Sequence, residues 1–294
     1  MKLIITIPAY NEEKTIGNMV TNIKMAMNKT KYNYKILVVN DGSTDKTEAA
    51  AKQSGAVVYS HPRNYGLAET FKTEIEKALS FNPKIIVHID ADAQYKPEEI
   101  PKLIAEVENG HDLVLGSRFK GKIEQMPIIR KLGNKAFSRV ISQITGMRIS
   151  DTQTGFRAFT KEVAENVPIT SNHTYTQEQI IRAINQKFRV KEIPIYFAKR
   201  AYGKSRLIKN PFRYAVKAWI DILRIYRDFE PLKFFGLFGG LFFIMGFLIG
   251  LFILYSFITK GHVGSLPRVL LSILFISVGV QIILFGFLAD MSKK

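Results

Sequence analysis

Two stretches of this chain carry no charged side chain, Phe234 to Ile258 and Val269 to Ala289, and they constrain it more than any other feature. A helix needs about 20 apolar residues to cross roughly 30 Å of hydrocarbon, and buried helices of soluble domains seldom stay charge-free for so long. Both stretches therefore read as membrane spans. The linker Thr259 to Arg268 carries Gly and Pro and is too short for a domain, so the spans form a hairpin with both flanks on one side. Lys209, Arg213, Lys217, Arg224, Arg227 and Lys233 crowd the flank before the first span, and the positive-inside rule assigns that flank, with the bulk of the chain, to the cytoplasm. No signal peptide is expected, because the opening apolar stretch Leu3 to Ile7 is ended by Pro8, Asn11 and Glu12.

The 294 residues include 42 Lys+Arg against 25 Asp+Glu, a formal charge of +17, with 47% hydrophobic residues and no cysteine. That composition excludes a disordered chain, a disulfide scaffold and a Cys-ligated zinc site. The basic excess fits an anionic lipid interface better than nucleic acid. Between Arg118 and Arg148 the only acid is Glu124, and Ile129, Leu132, Ala136, Val140 and Ile144 recur at helical spacing after Pro127. This predicts an amphipathic helix over about 127–145. A second, juxtamembrane helix over 211–230 starts after Asn210-Pro211, with Phe212, Val216, Trp219, Leu223 and Tyr226 on its apolar face and Arg213, Lys217, Arg224 and Arg227 elsewhere. Such helices lie in the headgroup plane of anionic membranes. The plainer alternative is that both pack on the domain with solvated basic faces.

Ahead of the spans, strand-like and helix-like periods alternate. Strands are expected at Lys2 to Pro8, Tyr34 to Asn40, Ala56 to Ser60, Lys84 to Asp90, Asp112 to Gly116 and Val190 to Phe197, with early helices at about 12–28, 44–54, 66–80 and 97–109. The pattern predicts an α/β fold with a largely parallel sheet, whose ligands bind beyond the carboxyl ends of the strands. Three loops at those ends are rich in acidic and turn-forming residues: Pro8 to Glu12, Asn40 to Asp45 and Asp90 to Gln94. A single loop of this kind is ordinarily only a turn, but three converging on one sheet edge are harder to assign to chance. Asp90 and Asp92, two apart in an extended chain, present their carboxylates to one side, and Gln94 follows them. Oxygen ligands of this type suit Mg²⁺ or Mn²⁺ completed by a diphosphate and water; the bland reading is an acidic turn in solvent. His88 shares their parity and reads as a core or supporting residue.

In order and spacing, Pro8-Ala9-Tyr10-Asn11-Glu12, Val38-Val39-Asn40-Asp41-Gly42-Ser43, Asp90-Ala91-Asp92, Gly116-Ser117-Arg118, Asp151-Thr152-Gln153-Thr154-Gly155-Phe156-Arg157 and Arg200 to Arg206 resemble the signatures of glycosyltransferase family 2. The closest branch is the dolichyl-phosphate mannose synthase-like, polyprenyl-phosphate glycosyltransferases. The resemblance covers about residues 1–210 and implies a GT-A, Rossmann-like nucleotide-diphospho-sugar transferase domain there, followed by the juxtamembrane helix and a two-helix hairpin over 231–294. It further implies that Pro8, Tyr10, Glu12, Val39 and Asp41 hold the base and ribose of a nucleotide-sugar, that Asp90, Ala91, Asp92 and Gln94 meet its diphosphate and metal, and that Arg118, Arg200 and Arg206 contact phosphates. Asp92, Arg118 and Arg200 would be catalytic; Arg118, Arg130 and Arg200 would receive a lipid phosphate. Asn40 stands where many relatives have the first Asp of a pair, which leaves the base preference open, and Arg206 stands where some have Lys.

The implied reaction is an inverting, metal-dependent transfer of one sugar from GDP-mannose or a UDP-hexose or UDP-N-acetylhexosamine to dolichyl or another polyprenyl phosphate, as in protein glycosylation. Such a phosphate is already anionic near neutral pH, its second pKa being about 6, so no general base is required. Glu178 is accordingly given only a positioning role, with a helix-surface carboxylate as the alternative. A processive polysaccharide synthase is the enzymatic rival, but its usual QxxRW segment is missing around Trp219, the only tryptophan. A non-enzymatic, membrane-tethered binding protein would leave the acidic loops unexplained. Gly236/Gly240 and Gly246/Gly250 have GxxxG spacing, which permits close packing within the hairpin or between the subunits of a homo-oligomer.

Overall fold

The computed structural model describes residues 2–170, 175–199 and 211–292, and the chain divides into two compact units, Met1–Ala215 and Val216–Lys294. The first unit is built on a seven-stranded sheet with the order β3-β2-β1-β4-β6-β5-β7. Its strands are β1 (Lys2–Ala9), β2 (Asn33–Asn40), β3 (Val57–Ser60), β4 (Ile85–His88), β5 (Leu113–Ile123), β6 (Arg157–Thr160) and β7 (Val190–Phe197). β1, β2, β3 and β4 run parallel, as do β5 and β7, while β6 lies antiparallel between β4 and β5. From Leu3 to Ala9 every residue of β1 is buried, as expected for a central parallel strand covered on both faces. β3, at the edge, exposes Val57 and Tyr59.

Helices α1 (Ile16–Met27), α2 (Thr47–Gln53), α3 (Leu67–Leu79) and α4 (Ile100–Glu108) follow the first strands where the apolar period places them, each shorter than the expected span. α1 and α4 bury Ile16, Met19, Val20, Ile23, Ile100, Leu103 and Ile104 in a core shared with Leu3, Ile5, Ile7, Val38 and Val87. After β5 come α5 (Ile128–Thr145), α6 (Lys161–Asn166) and α7 (Tyr175–Asn185). Two strands end two or more residues from where their apolar pattern implies. β4 ends at His88 instead of reaching Asp90, so the acidic triplet sits in the turn beyond the strand. β5 runs on past Gly116 to Ile123, with an irregular register against β7 between Ser117 and Lys122.

β6, α6 and α7 have no counterpart among the elements expected from the sequence. β6 is four residues long and opens on an arginine, which hides it from any apolar pattern. α7 begins Tyr-Thr-Gln-Glu-Gln, all of it buried, so its polar residues point inward and invert the usual amphipathic signal.

Helix α8 (Pro211–Phe229) crosses the division between the units, with Val216, Trp219 and Ile220 exposed and Ile222 and Ile225 buried. In the second unit, α9 (Pro231–Lys260) and α10 (Leu266–Met291) extend the two charge-free stretches at both ends and are long and apolar enough to cross a membrane. They pack against each other through small residues. A methyl group on Gly279 would lie 2.6 Å from the Phe243 nitrogen and 2.7 Å from the Gly239 carbonyl oxygen. Ser272 Oγ donates to the Gly246 carbonyl at 2.7 Å. Gly239 and Gly246 thus face Ser272 and Gly279, whereas Gly236 and Gly240 have nothing within 4 Å.

Candidate functional site

The parallel strands deliver three loops to one sheet edge, and hydrogen bonds stitch the first two together. Asn11, in the left-handed region at φ 51, donates its backbone N–H to Ser43 Oγ and accepts from the Thr44 N–H through Oδ1 at 2.8 Å. The Glu12 N–H donates to Thr47 Oγ1 at 2.8 Å, and Glu12 Oε2 accepts from Thr15 Oγ1. Pro8 and Val39 are register partners in β1 and β2, and both are buried; Tyr10 and Glu12 are half-buried just beyond. Asn40 spends its side chain on Ser60 Oγ and the Ser43 N–H.

Asp41, expected at the base, is buried and turned toward its own protein. Oδ1 meets His61 Nδ1 at 2.8 Å and accepts from the Tyr65 N–H, while Oδ2 accepts from the Gly66 N–H at 2.9 Å. In this geometry Asp41 holds the loop after β3. That loop presses on Gly42 so closely that a Cβ there would sit 2.2 Å from the Arg63 carbonyl carbon.

The third loop leaves β4 with Asp90 partly exposed, its side chain at 32%. Asp92 Oδ1 accepts from the Gln94 N–H at 3.2 Å, and Ala93 takes a positive φ of 60 that turns the chain. Gln94 is buried: its Nε2 donates to the Ala198 carbonyl at 3.1 Å and its carbonyl accepts from the Ala198 N–H, fastening the loop to the end of β7. Ala91 is buried in the core. Gly155, just before β6, gives Asp90 its space, since a Cβ there would lie 2.6 Å from Asp90 Oδ2. Among the described residues no three His, Cys, Asp or Glu side chains form a metal-binding group. Two carboxylates on one loop nevertheless fit a hard cation that takes its remaining ligands from a diphosphate and water, as Mg²⁺ usually does.

Beneath this loop lies a buried polar cluster. His88 Nδ1 meets Glu74 Oε2 at 2.6 Å, the same oxygen accepts from Thr6 Oγ1 at 2.8 Å, and both the His88 and Glu74 side chains are fully buried. His88 Nε2 lies 3.8 Å from Asp90 Oδ1 and 3.4 Å from the Tyr175 hydroxyl. Burial pushes the Tyr175 phenol well above its ordinary pKa, and the Asp90 carboxylate adds to the shift, so Tyr175 stays a neutral hydroxyl. Arg118, at 1% exposure, forms a two-pronged ion pair with Asp151 through Nε at 2.7 Å and Nη2 at 2.8 Å. Burial opposes the Arg118 charge, but its surroundings, Asp151 and Asp90 among them, more than offset that and hold its pKa above the usual arginine value. Asp151 is held in turn by its backbone N–H, which donates to Glu192 on β7.

α5 fastens to this cluster through an unusually polar inner face. Asn134 donates to the Arg130 carbonyl and to Gln153 Oε1, and its oxygen accepts from Arg118 Nη2 at 3.1 Å. Ser138 Oγ accepts from the Thr152 N–H, and Ser142 Oγ exchanges hydrogen bonds with the backbone of Ile149. On the outer face Ile128 is 77% and Leu132 63% exposed beside the exposed Lys131, Lys135 and Arg139, while Arg130 is half-buried.

Arg200 and Arg206 lie outside the described residues. Glu178 is buried, and its Oε1 accepts from the Thr170 N–H and from Arg182 Nε, which removes the helix-surface alternative. Asp151 and Arg157 bound a motif recognisable in the sequence, yet nothing in its pattern gave either residue a role. Glu74 gave no signal at all, because on a surface helix rich in Glu and Lys nothing marks one carboxylate as buried.

Residues 4–167, more than half of the chain, match the family described as Glycosyl transferase family 2. The chain belongs to that family. This glycosyltransferase is 35% identical over 212 residues to an uncharacterized protein of Methanocaldococcus jannaschii, covering 70% of this chain and 85% of that one. It is 32% identical over 212 residues to the dolichyl-phosphate hexose transferase of Haloferax volcanii, covering 71% and 87% of the two chains. It is also 27% identical over 299 residues to the undecaprenyl-phosphate 4-deoxy-4-formamido-L-arabinose transferase of an Enterobacter species, covering 98% and 87%. Among solved structures, glucosyl-3-phosphoglycerate synthase of Mycobacterium tuberculosis, crystallised with Mn²⁺, UDP and glucosyl-3-phosphoglycerate, superposes with a TM-score of 0.60 at 18% identity, covering 75% and 79%. The GT-A expectation for the catalytic fold therefore holds.

Proposed function

We propose that this glycosyltransferase moves a single sugar from a nucleotide-sugar donor to a polyprenyl phosphate at the cytoplasmic face of a membrane, with inversion at the anomeric carbon. The observation that carries this reading is the pair Asp90 and Asp92 on the turn after β4, in a family 2 chain that continues into two apolar helices. The relatives named for dolichyl and undecaprenyl phosphate support the acceptor class.

Mg²⁺ or Mn²⁺ held by Asp90 and Asp92 would stabilise the charge that grows on the departing diphosphate. Gln94 would approach through its amide oxygen, the nitrogen being engaged with Ala198. Pro8, Tyr10, Glu12 and Val39 line the ends of β1 and β2 where the nucleoside would rest, with Asp41 shaping the adjoining loop and Ala91 packing the diphosphate turn from below. Arg118 acts from within its pair with Asp151, while Arg130, Arg200 and Arg206 supply further cationic groups for donor and lipid phosphates. The exposed Ile128 and Leu132, flanked by lysines, suit contact with an anionic headgroup layer.

The deciding experiment incubates the purified protein with a panel of radiolabelled nucleotide-sugars, polyprenyl phosphate and Mg²⁺ or Mn²⁺, then extracts into organic solvent. Label should enter the lipid phase with one donor and be lost in Asp92→Asn. Transfer by that variant at the wild-type rate would refute the metal role.

A further inference from the structure

Among the described residues two arginines are buried near the acidic turn, and one of them is paired with a carboxylate. Arg118 has Asp151. Arg157, the first residue of β6, is 0% exposed, and every hydrogen-bond acceptor it meets among the described residues is uncharged: the Thr176 carbonyl at 3.2 Å and Gln179 Oε1 at 2.8 Å through Nη1, and the Thr154 carbonyl through Nη2. Among the described residues its Nε has no hydrogen-bond partner and it forms no ion pair with a carboxylate within 4.0 Å. Buried cations are ordinarily paired, because an isolated charge in a poorly polarisable interior is costly.

The register shows which anion this charge addresses. Arg157 lies opposite His88 in the antiparallel β4–β6 pair, and two residues further along the same register sets Asp90 over Gly155, where the missing side chain lets the carboxylate lean toward β6. Directly paired residues share a face, and His88 Nε2 lies 3.8 Å from Asp90 Oδ1, so Arg157, His88 and Asp90 stand on one side of the sheet. A fixed positive charge there attracts anions and repels a bare dication.

We propose that Arg157 is the built-in countercharge beneath the diphosphate site, and that it makes the divalent ion and the nucleoside diphosphate bind as one unit, with the ion disfavoured alone. The inference rests on Asp90 and Asp92 being the metal–diphosphate site. Without a diphosphate, Arg157 offsets part of the negative charge that would hold a dication; with one, it adds to the attraction for the phosphates. Arg157 does not reach the ligand and is a positioning residue acting through the field at Asp90.

The test uses the full-length protein in detergent micelles. Mn²⁺ binding is read from the free-ion electron paramagnetic resonance signal, and UDP and GDP binding is measured calorimetrically in EDTA. Arg157→Met should bind Mn²⁺ alone about tenfold more tightly and metal-free nucleoside diphosphate about tenfold more weakly. Arg157→Lys should stay near wild type in both. Such opposed shifts are not produced by general loosening of the fold; unchanged affinities, or shifts of the same sign, would overturn the proposal. Should Arg157→Met not fold, Arg157→Gln, whose amide can still donate to the Thr154 carbonyl, is judged by the same two readings. In the wild-type protein itself, metal-free UDP or GDP must bind detectably and weaken as NaCl rises, and failure of that overturns the proposal whatever the variants do. Equal binding of Mn²⁺ with UDP or GDP by wild type and Asp92→Asn would instead remove the underlying assignment of the site.

Discussion

A methyl group on Gly155 would lie 2.6 Å from Asp90 Oδ2. The carboxylate is therefore placed by the absence of a side chain on the segment that leads into β6. Gly155→Ala should push Asp90 off its position and lower the initial rate of transfer about a hundredfold, the order expected for an ångström of misplacement at a reacting centre. The labelled-donor assay checks this, and a wild-type rate would show that Asp90 can move freely.

Glu74 and His88 form a buried pair that also accepts the Thr6 hydroxyl. Glu74→Leu strands both donors and should cost about 3 kcal/mol, whereas Glu74→Leu combined with His88→Phe should recover much of that loss. Thermal melts of the four proteins of this cycle decide the matter; simple additivity of the two single changes would contradict the pairing.

Arg130 stands on the half-buried flank of α5, one turn before Asn134. Arg130→Glu should raise the apparent KM for polyprenyl phosphate about tenfold while leaving nucleoside diphosphate affinity alone, as expected when a cation opposite a phosphate is reversed. An unchanged lipid KM would argue against acceptor binding there.

In the hairpin, Gly279 abuts the backbone of α9 while Gly236 faces nothing within 4 Å. Gly279→Leu should separate the helices and expose them to protease in detergent, and Gly236→Leu should behave as wild type. Equal sensitivity of the two variants would count against the packing.

The two long apolar helices, the early strands and the three acidic loops were legible because each obeys a periodicity or a turn chemistry that a linear chain displays. What escaped is long-range. β6 and α7 turn polar residues inward, so their patterns mimic loops, and no local rule joins Asp41 to the His61 ring and the Tyr65 and Gly66 N–H groups that its oxygens hold. Glu74 lies 14 residues from His88, and no local rule connects them. On α5, Leu132 belongs to the apolar face that the spacing marks, but Ile128 does not, and neither does the inner seam of Asn134, Ser138 and Ser142, since hydroxyl and amide groups on a helix ordinarily mean solvent.

Because β6 runs against its neighbours, the chain enters the sheet there at the edge that carries the acidic loops, whereas along β1, β2 and β4 it leaves the sheet at that edge. Outgoing turns contribute the oxygens; the incoming segment contributes a bare α-carbon and a guanidinium. The charge beneath the acidic turn is thus set by one entering stretch, separately from the loops that follow β1, β2 and β4.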